Sequence, residues 1–350
     1  MNAAARLNTE DNGRPPQPTP RREFRSHPWL RGGHMQTLAA YFLPRRIQLP
    51  KAEKRLIAVE PGVPVLCYCY WQQDRQNALT IIVLHGLEGS TDSQYMRGVA
   101  RNGLAAGMNV VLMNQRNCGG MDHCAPTLYN SSRSGDIEAV ARHVVERDGV
   151  SSFVLAGFSM GGNLVLKLAG EWGSEGPAQF RGVAAVCPAM DLAASADALH
   201  EPANRLYEYY FLLQLFRRFR RKARLFPTDF DASRLRGVST LREFDDRVTA
   251  YYCGFTGAED YYARAAAANV IGQIAMPALI IHAANDPFIR VLPETRRKIL
   301  SNPNITYLET ADGGHCAFLG ERNEAASDYG SRYDGRWAER EVVEFARQIG

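Results

Sequence analysis

The chain has 350 residues, of which 45 % are hydrophobic and 22 % charged, enough apolar material for one large core or two modest ones. Gly (30) and Pro (18) occur at ordinary frequency, which excludes collagen-like and wholly disordered chains, and 41 basic against 37 acidic residues leave a net charge of +4, too slight to make nucleic acid the default partner. Seven cysteines, an odd number thinly spread, do not form the dense even framework of a small secreted domain and point to a reducing, cytoplasmic setting.

Residues 1–23 are rich in Pro, Asn and Arg and lack an apolar run, so they read as a disordered tail rather than a signal peptide. Arg55–Glu60 and Val65–Trp71 flank Pro61-Gly62 and predict an antiparallel hairpin. Six short, continuously apolar runs follow: Thr80–His85, Asn109–Asn114, Ser152–Ala156, Gly182–Cys187, Ala278–His282 and Ile305–Leu308, as strands buried on both faces should be. Helical patterns separate most of them, at Ser93–Ala106, Ser134–Arg147, Met160–Trp172 and Pro293–Leu300. The expectation is an α/β chain with a mostly parallel sheet flanked by helices. Two uncharged windows, Gly149 to Leu166 and Ala265 to Asn285, are broken by Ser, Asn, Gln and Gly, so neither predicts a membrane span.

About ninety residues separate the strand ending at Cys187 from the one starting at Ala278, more than one crossover needs. A helical cap inserted at about 190–274 into a domain of residues 24–350 is therefore expected. Its 207–226 stretch places Tyr209, Leu212, Leu213, Phe216 and Phe219 at helical spacing, with six Arg/Lys between 217 and 224. The preferred reading is a packed helix with a solvated cationic face, and the alternative is a peripheral membrane contact through its basic end.

The strongest chemical signal is Gly157-Phe158-Ser159-Met160-Gly161, set directly between a strand and a helix. A turn this tight tolerates only small residues two places either side of Ser159, and it lifts the hydroxyl over the sheet edge while aiming the helix N-terminus at a substrate oxygen. A serine hydroxyl needs a base to take its proton, and the base needs an acid to orient it. His315, in Asp312-Gly313-Gly314-His315-Cys316, and Asp286, just past the Ala278–His282 run, follow in the order Ser, acid, His. Asp191 is the rival acid, ranked below Asp286 and otherwise expected to cap the first cap segment. Glu309 and Asp312 lie too near His315 along the chain. The backbone N–H groups of Leu87 and Met160 are the expected oxyanion donors. Glu88 is expected to point away or pair with a basic residue, and His85 to be a structural hydrogen-bonder. Cys118, His123 and Cys124 lack a matching second half and read as an ordinary loop, so no metal or organic cofactor is expected.

With these residues in place, the chain resembles the AB hydrolase-4 family of YheT-like esterases, within the α/β-hydrolase superfamily. The likeness runs from about Phe24 to Phe318 and rests on His27-Pro28-Trp29-Leu30, Gly33-His34-Met35-Gln36-Thr37, His85-Gly86-Leu87-Glu88-Gly89-Ser90, Gly157-Phe158-Ser159-Met160-Gly161-Gly162-Asn163, Asn285-Asp286-Pro287-Phe288 and Gly313-Gly314-His315. It implies an α/β-hydrolase fold, triad roles for Ser159, Asp286 and His315, a place for Glu88 in the family's oxyanion loop, and cleavage of carboxylic esters. Relatives with a shorter Arg-Gly-Cys-Gly-type loop differ from this chain's Arg116-Asn117-Cys118-Gly119-Gly120-Met121-Asp122-His123-Cys124, and His34 is expected to anchor the N-terminal arm. The expected function is a serine hydrolase acting through an acyl-enzyme on small-molecule esters with short- to medium-chain or lipid-like acyl groups. The alternatives are an alcohol O-acyltransferase and a non-catalytic binding protein on the same scaffold.

Overall fold

Among the described residues eight strands join into one sheet, because the apolar runs alternate with helices long enough to carry the chain back for parallel pairing. The computed structural model describes residues 23–321 and 334–350; the segment read as a tail lies outside them, apart from Glu23. The strands are β1 (Glu53–Glu60), β2 (Val63–Tyr70), β3 (Thr80–Leu84), β4 (Asn109–Met113), β5 (Phe153–Phe158), β6 (Phe180–Val186), β7 (Ala278–Ala283) and β8 (Ile305–Thr310). They lie in the order β1-β2-β4-β3-β5-β6-β7-β8. The hairpin β1–β2 and the β2–β4 pair are antiparallel, and every other pair is parallel.

The helices are α1 (Gly33–Phe42), α2 (Gln94–Ala105), α3 (Ser134–Asp148), α4 (Met160–Trp172), α5 (Leu192–His200), α6 (Arg205–Leu225), α7 (Leu241–Phe244), α8 (Tyr251–Cys253), α9 (Ala258–Ala265), α10 (Pro293–Ser301) and α11 (Trp337–Ile349). Side chains alternate across each strand, so Ile82 and Leu84 join Val140 of α3 and Leu164 of α4 on one face. Ile81 and Val83 join Val99 of α2 and Val343 of α11 on the other. Both faces of β3 are buried along its length, which is why its sequence is apolar without alternation.

Two helices go beyond the sequence expectations. α11 carries Ala338, Val342, Val343 and Ala346 at helical spacing, a signal its sequence does contain, whereas α1 buries only Gln36 and has no apolar stripe to read.

Between β6 and β7 the chain forms α5 to α9, whose apolar side chains build a third cluster that Phe288 and Ile289 join from the loop after β7. The buried row of α6 is Glu208, Leu212, Leu215, Phe219 and Lys222. This corrects the expected stripe: Tyr209 is exposed and Leu215 takes the inward place, because the helix is rotated so that two of its polar residues also face inward.

Candidate active site

Ser159, the turn of His85 to Glu88, Asp191, Asp286 and His315 follow the carboxyl ends of parallel strands, where an open α/β sheet leaves its crevice. Ser159 sits between β5 and α4 with φ 54° and ψ −119°, a conformation costly for a residue with a Cβ. Close packing imposes it. A methyl group on Gly157 would lie 2.2 Å from Gly161 O, and one on Gly161 would lie 2.5 Å from His85 O, so the strand, turn and helix approach only as glycine backbones. The Ser159 N–H donates to Val186 O at 2.9 Å.

His315 Nδ1 meets Asp286 Oδ2 at 2.8 Å. The other carboxylate oxygen accepts from the N–H groups of Phe288 and Ile289 at 3.1 and 3.0 Å, so the acid is held from both sides. Burial works to raise the Asp286 pKa, but the neighbouring His315 and these donors hold it below the ordinary carboxylate value. Burial likewise works against a charged imidazole, yet the Asp286 carboxylate prevails and raises the His315 pKa above its ordinary value. The His315 ring packs on Phe288 with centroids 4.4 Å apart, and Phe288 and Ser159 line the same cavity. The Cys316 thiol and the Ser159 N–H converge on Val186 O, bringing the histidine loop beside the serine turn. Among the described residues no hydrogen bond joins Ser159 Oγ to His315 Nε2, which instead faces Cys316 Sγ at 3.8 Å.

Asp191 lies elsewhere. Its carboxylate accepts from Leu292 N at 2.9 Å and Thr295 Oγ1 at 2.7 Å, which commits it to the start of α10 rather than to capping α5. Glu309 pairs with Arg296, and Asp312 accepts from the N–H groups of Gly32 and Gly313.

The turn after β3 is set by His85. Its Nε2 accepts from Gln115 N at 3.1 Å, so Nδ1 carries the proton and donates to Gly86 O at 2.8 Å, and burial lowers the ring's pKa to about 4. Gly89 N also donates to Gly86 O, at 3.1 Å. In a trans peptide the C=O and the following N–H point opposite ways, so fastening Gly86 O directs the Leu87 N–H away from His85. Neither the Leu87 nor the Met160 N–H is used in a hydrogen bond among the described residues.

Three residues of this neighbourhood escape sequence reasoning. Arg218 of α6 grips Glu88 through Nε and Nη2, at 2.8 and 3.1 Å, and also reaches Asn117 O and Asp122 Oδ1. Tyr129 Oη donates to Glu88 Oε1 at 2.6 Å. Lys222 is wholly buried, bonding Asn117 Oδ1 and the carbonyls of Asp122 and Ala125. The loop of residues 116–124 is thus held by α6, and two cations assigned to a solvated face point inward. Cys118 is buried against Tyr129 and Met160, while His123 is exposed and Cys124 half-buried.

The N-terminal arm serves the histidine loop. Thr37 Oγ1 accepts from His315 N at 2.8 Å, and the buried Gln36 bonds both the N–H and the carbonyl of Leu319. His34 stacks on Tyr207 of α6 and bonds its hydroxyl at 3.1 Å, linking the arm to the α5–α9 segment.

Ser159 opens into a cavity of about 110 Å³ lined by Leu87, Leu215, Phe211, Phe219, Phe288 and Ile289 among others. Its apolar walls suit a hydrocarbon group placed beside the Ser159 hydroxyl.

The alpha/beta hydrolase fold family matches residues 80–321. YheT of Escherichia coli (strain K12) is 30 % identical over 291 residues, covering 82 % of this chain and 84 % of that protein. Phospholipase ABHD3 of Homo sapiens is 29 % identical over 302 residues, 83 % of this chain and 72 % of that one. Among solved structures, the esterase Pf2001 of Pyrococcus furiosus superposes with a TM-score of 0.55 at 17 % identity, over 88 % of this chain and 97 % of its own, a likeness of fold. None of the described helices is long and apolar enough to cross a membrane.

Proposed function

The chain belongs to the alpha/beta hydrolase fold family, among the AB hydrolase-4 relatives of YheT, and from that premise we propose that this hydrolase cleaves carboxylic esters through a serine acyl-enzyme. The observation that carries the reading is Ser159, strained on its turn at the wall of an apolar cavity, with the Asp286–His315 pair on the adjoining loops. In this reading Ser159 Oγ attacks the ester carbonyl as His315 Nε2 takes its proton. Asp286 orients the ring and favours the imidazolium that forms. The tetrahedral oxyanion is received by the N–H groups of Leu87 and Met160, each worth about 3 kcal/mol at the transition state. His315 returns its proton to the departing alcohol, and water, activated by the same nitrogen, releases the acid. Closure of Nε2 onto Oγ accompanies substrate binding, since such bonds tighten in the reacting complex.

The apolar walls of the cavity, Leu87, Phe211, Leu215, Phe219 and Phe288 among them, support a short- to medium-chain acyl group. The test is labelling by a fluorophosphonate together with hydrolysis of a chain-length series of nitrophenyl esters, for the wild type and Ser159→Ala. Label and turnover in the wild type, both lost in the variant, support the reading; a wild type that takes no label and cleaves no ester leaves a binding protein. Products formed with added glycerol separate hydrolysis from transfer to an alcohol.

The exposed apolar residues favour ester substrates presented at a lipid surface. Trp29 (85 % exposed), Phe42 (72 %) and Leu206 (77 %) stand on the arm, α1 and the first turn of α6, and Arg217, Arg220 and Arg221 are exposed farther along that helix. Tyr41 and Tyr210 join the two helices through their hydroxyls at 2.7 Å. Peripheral contact predicts sedimentation with anionic vesicles that Phe42→Asp and Leu206→Asp together abolish. Seven unpaired thiols support a reducing, cytoplasmic setting.

A further inference from the structure

Two cysteines crowd the histidine that the reaction uses. Cys187 follows β6 and Cys316 follows His315, and one donor atom from each of Cys187, His315 and Cys316 lies within 4.8 Å of the other two. Cys316 Sγ is 3.8 Å from His315 Nε2, and Cys316 N donates to Cys187 Sγ at 3.4 Å. Both cysteines sit at positive φ, 43° and 56°, where glycine would be less strained, and a thiol stands at each position instead. We propose that Cys187, Cys316 and His315 form an inhibitory zinc site, in which the metal occupies the imidazole nitrogen that would otherwise take the Ser159 proton.

The donor set selects the ion. Two thiolates and one imidazole are the ligands of zinc and not of magnesium or calcium. Bonds of about 2.3 Å to sulfur and about 2.0 Å to nitrogen, at a tetrahedral angle, put sulfur and nitrogen about 3.6 Å apart. The Cys316 to His315 spacing is already near that value, and a Cys187 donor lies within 4.8 Å of each of the other two. Asp286 on Nδ1 supplies the carboxylate–histidine support common behind zinc ligands, and it leaves Nε2 as the coordinating nitrogen. Binding releases the two thiol protons, and the Nε2 proton of the imidazolium that Asp286 favours, to solvent, so the dication and two thiolates carry no net charge, which suits a site where Cys187 is fully buried. Cys316 and His315 keep partial exposure, giving the ion a way in. A second buried imidazole, His282, also has a donor atom within 4.8 Å of the Cys187 thiol, and its Nδ1 bonds to no described group.

The loss of activity rests on His315 being the base; the binding of metal does not, and the test separates them. Chelated full-length protein is titrated with Co²⁺, read by absorption, and with Zn²⁺, read by nitrophenyl ester hydrolysis. One thiolate-to-cobalt charge-transfer band per chain is expected, with hydrolysis suppressed by Zn²⁺ and restored by EDTA. Cys187→Ser and Cys316→Ser should keep metal-free activity, lose the band, and need at least tenfold more Zn²⁺ for half-inhibition. Because Cys187 is buried, folding is checked by thermal unfolding, and the more exposed Cys316→Ser suffices alone. Absence of the band in the wild type, an undiminished band in both variants, or inhibition that resists EDTA and yields only to a thiol reductant overturns the proposal. A wild type that binds cobalt yet cleaves no ester without metal supports the site and overturns the esterase reading.

Discussion

Arg218 holds Glu88 through two nitrogen–oxygen contacts of 2.8 and 3.1 Å, joining α6 to the turn that carries the Leu87 N–H. In the proposed mechanism an unpartnered carboxylate beside the Leu87 N–H would oppose the developing negative charge, and the ion pair removes that conflict. Its side chains are only 18 % and 9 % exposed, so solvent screens it little.

Removing one member of this pair therefore leaves an uncompensated buried charge. Arg218→Met is expected to cost about 3 kcal/mol of stability in denaturant unfolding, and Arg218→Met with Glu88→Gln should recover much of it, because the charge is gone from both sides. Hydrolysis should fall further in the single variant than in the double one. Equal stabilities would mean that the pair contributes nothing.

Asp286→Asn and Asp191→Asn distinguish the two carboxylates. Replacing the imidazole's partner should lower kcat by about 10⁴-fold, as loss of the correct tautomer does in a serine triad. Asp191→Asn should leave kcat within a few-fold while lowering stability by about 1–3 kcal/mol, since the bonds to Leu292 and Thr295 weaken. Steady-state kinetics and unfolding of both variants provide the check.

The pH profile follows from the direction of the His315 shift. As the proposed base, His315 would work only when neutral, and Asp286 raises its pKa, so kcat/KM should rise with pH through an inflection above the ordinary histidine value of about 6.5. Asp286→Asn should move that inflection toward acid in chelated buffer. An inflection at or below the ordinary value in the wild type would contradict the arrangement.

His85 acts through the peptide it fastens. In His85→Ala the Gly86 carbonyl loses one of its two donors, so the Leu87 N–H drifts from its direction, and kcat should fall about tenfold with KM little changed. Loss of KM instead of kcat would place His85 in substrate binding.

Much of the site was legible because its signals are local. The tight turn at Ser159 demands small neighbours at fixed offsets, and a strand buried on both faces demands an unbroken apolar run, so each leaves its mark within a few residues. The order of Ser159, Asp286 and His315 followed from where those runs end. The orientation of α6 was not legible, since Leu213 and Leu215 are equally apolar and only the surrounding cluster decides which is inward. Thr37 and Gln36 carry no local mark of their hold on the loop 278 or more residues away, at His315 and Leu319.

Composition, periodicity and the glycine spacing determined the layered α/β architecture and the place of Ser159 on its tight turn, because backbone sterics and side-chain burial act over one turn or one strand. Only the folded chain decided that Asp286 rather than Asp191 meets the imidazole, that Arg218 neutralises Glu88, and that Cys187 and Cys316 flank His315. Hydrogen bonds and charge pairs act over a few ångströms in space, and which residues come that close is set by how strands and helices stack rather than by their distance along the chain.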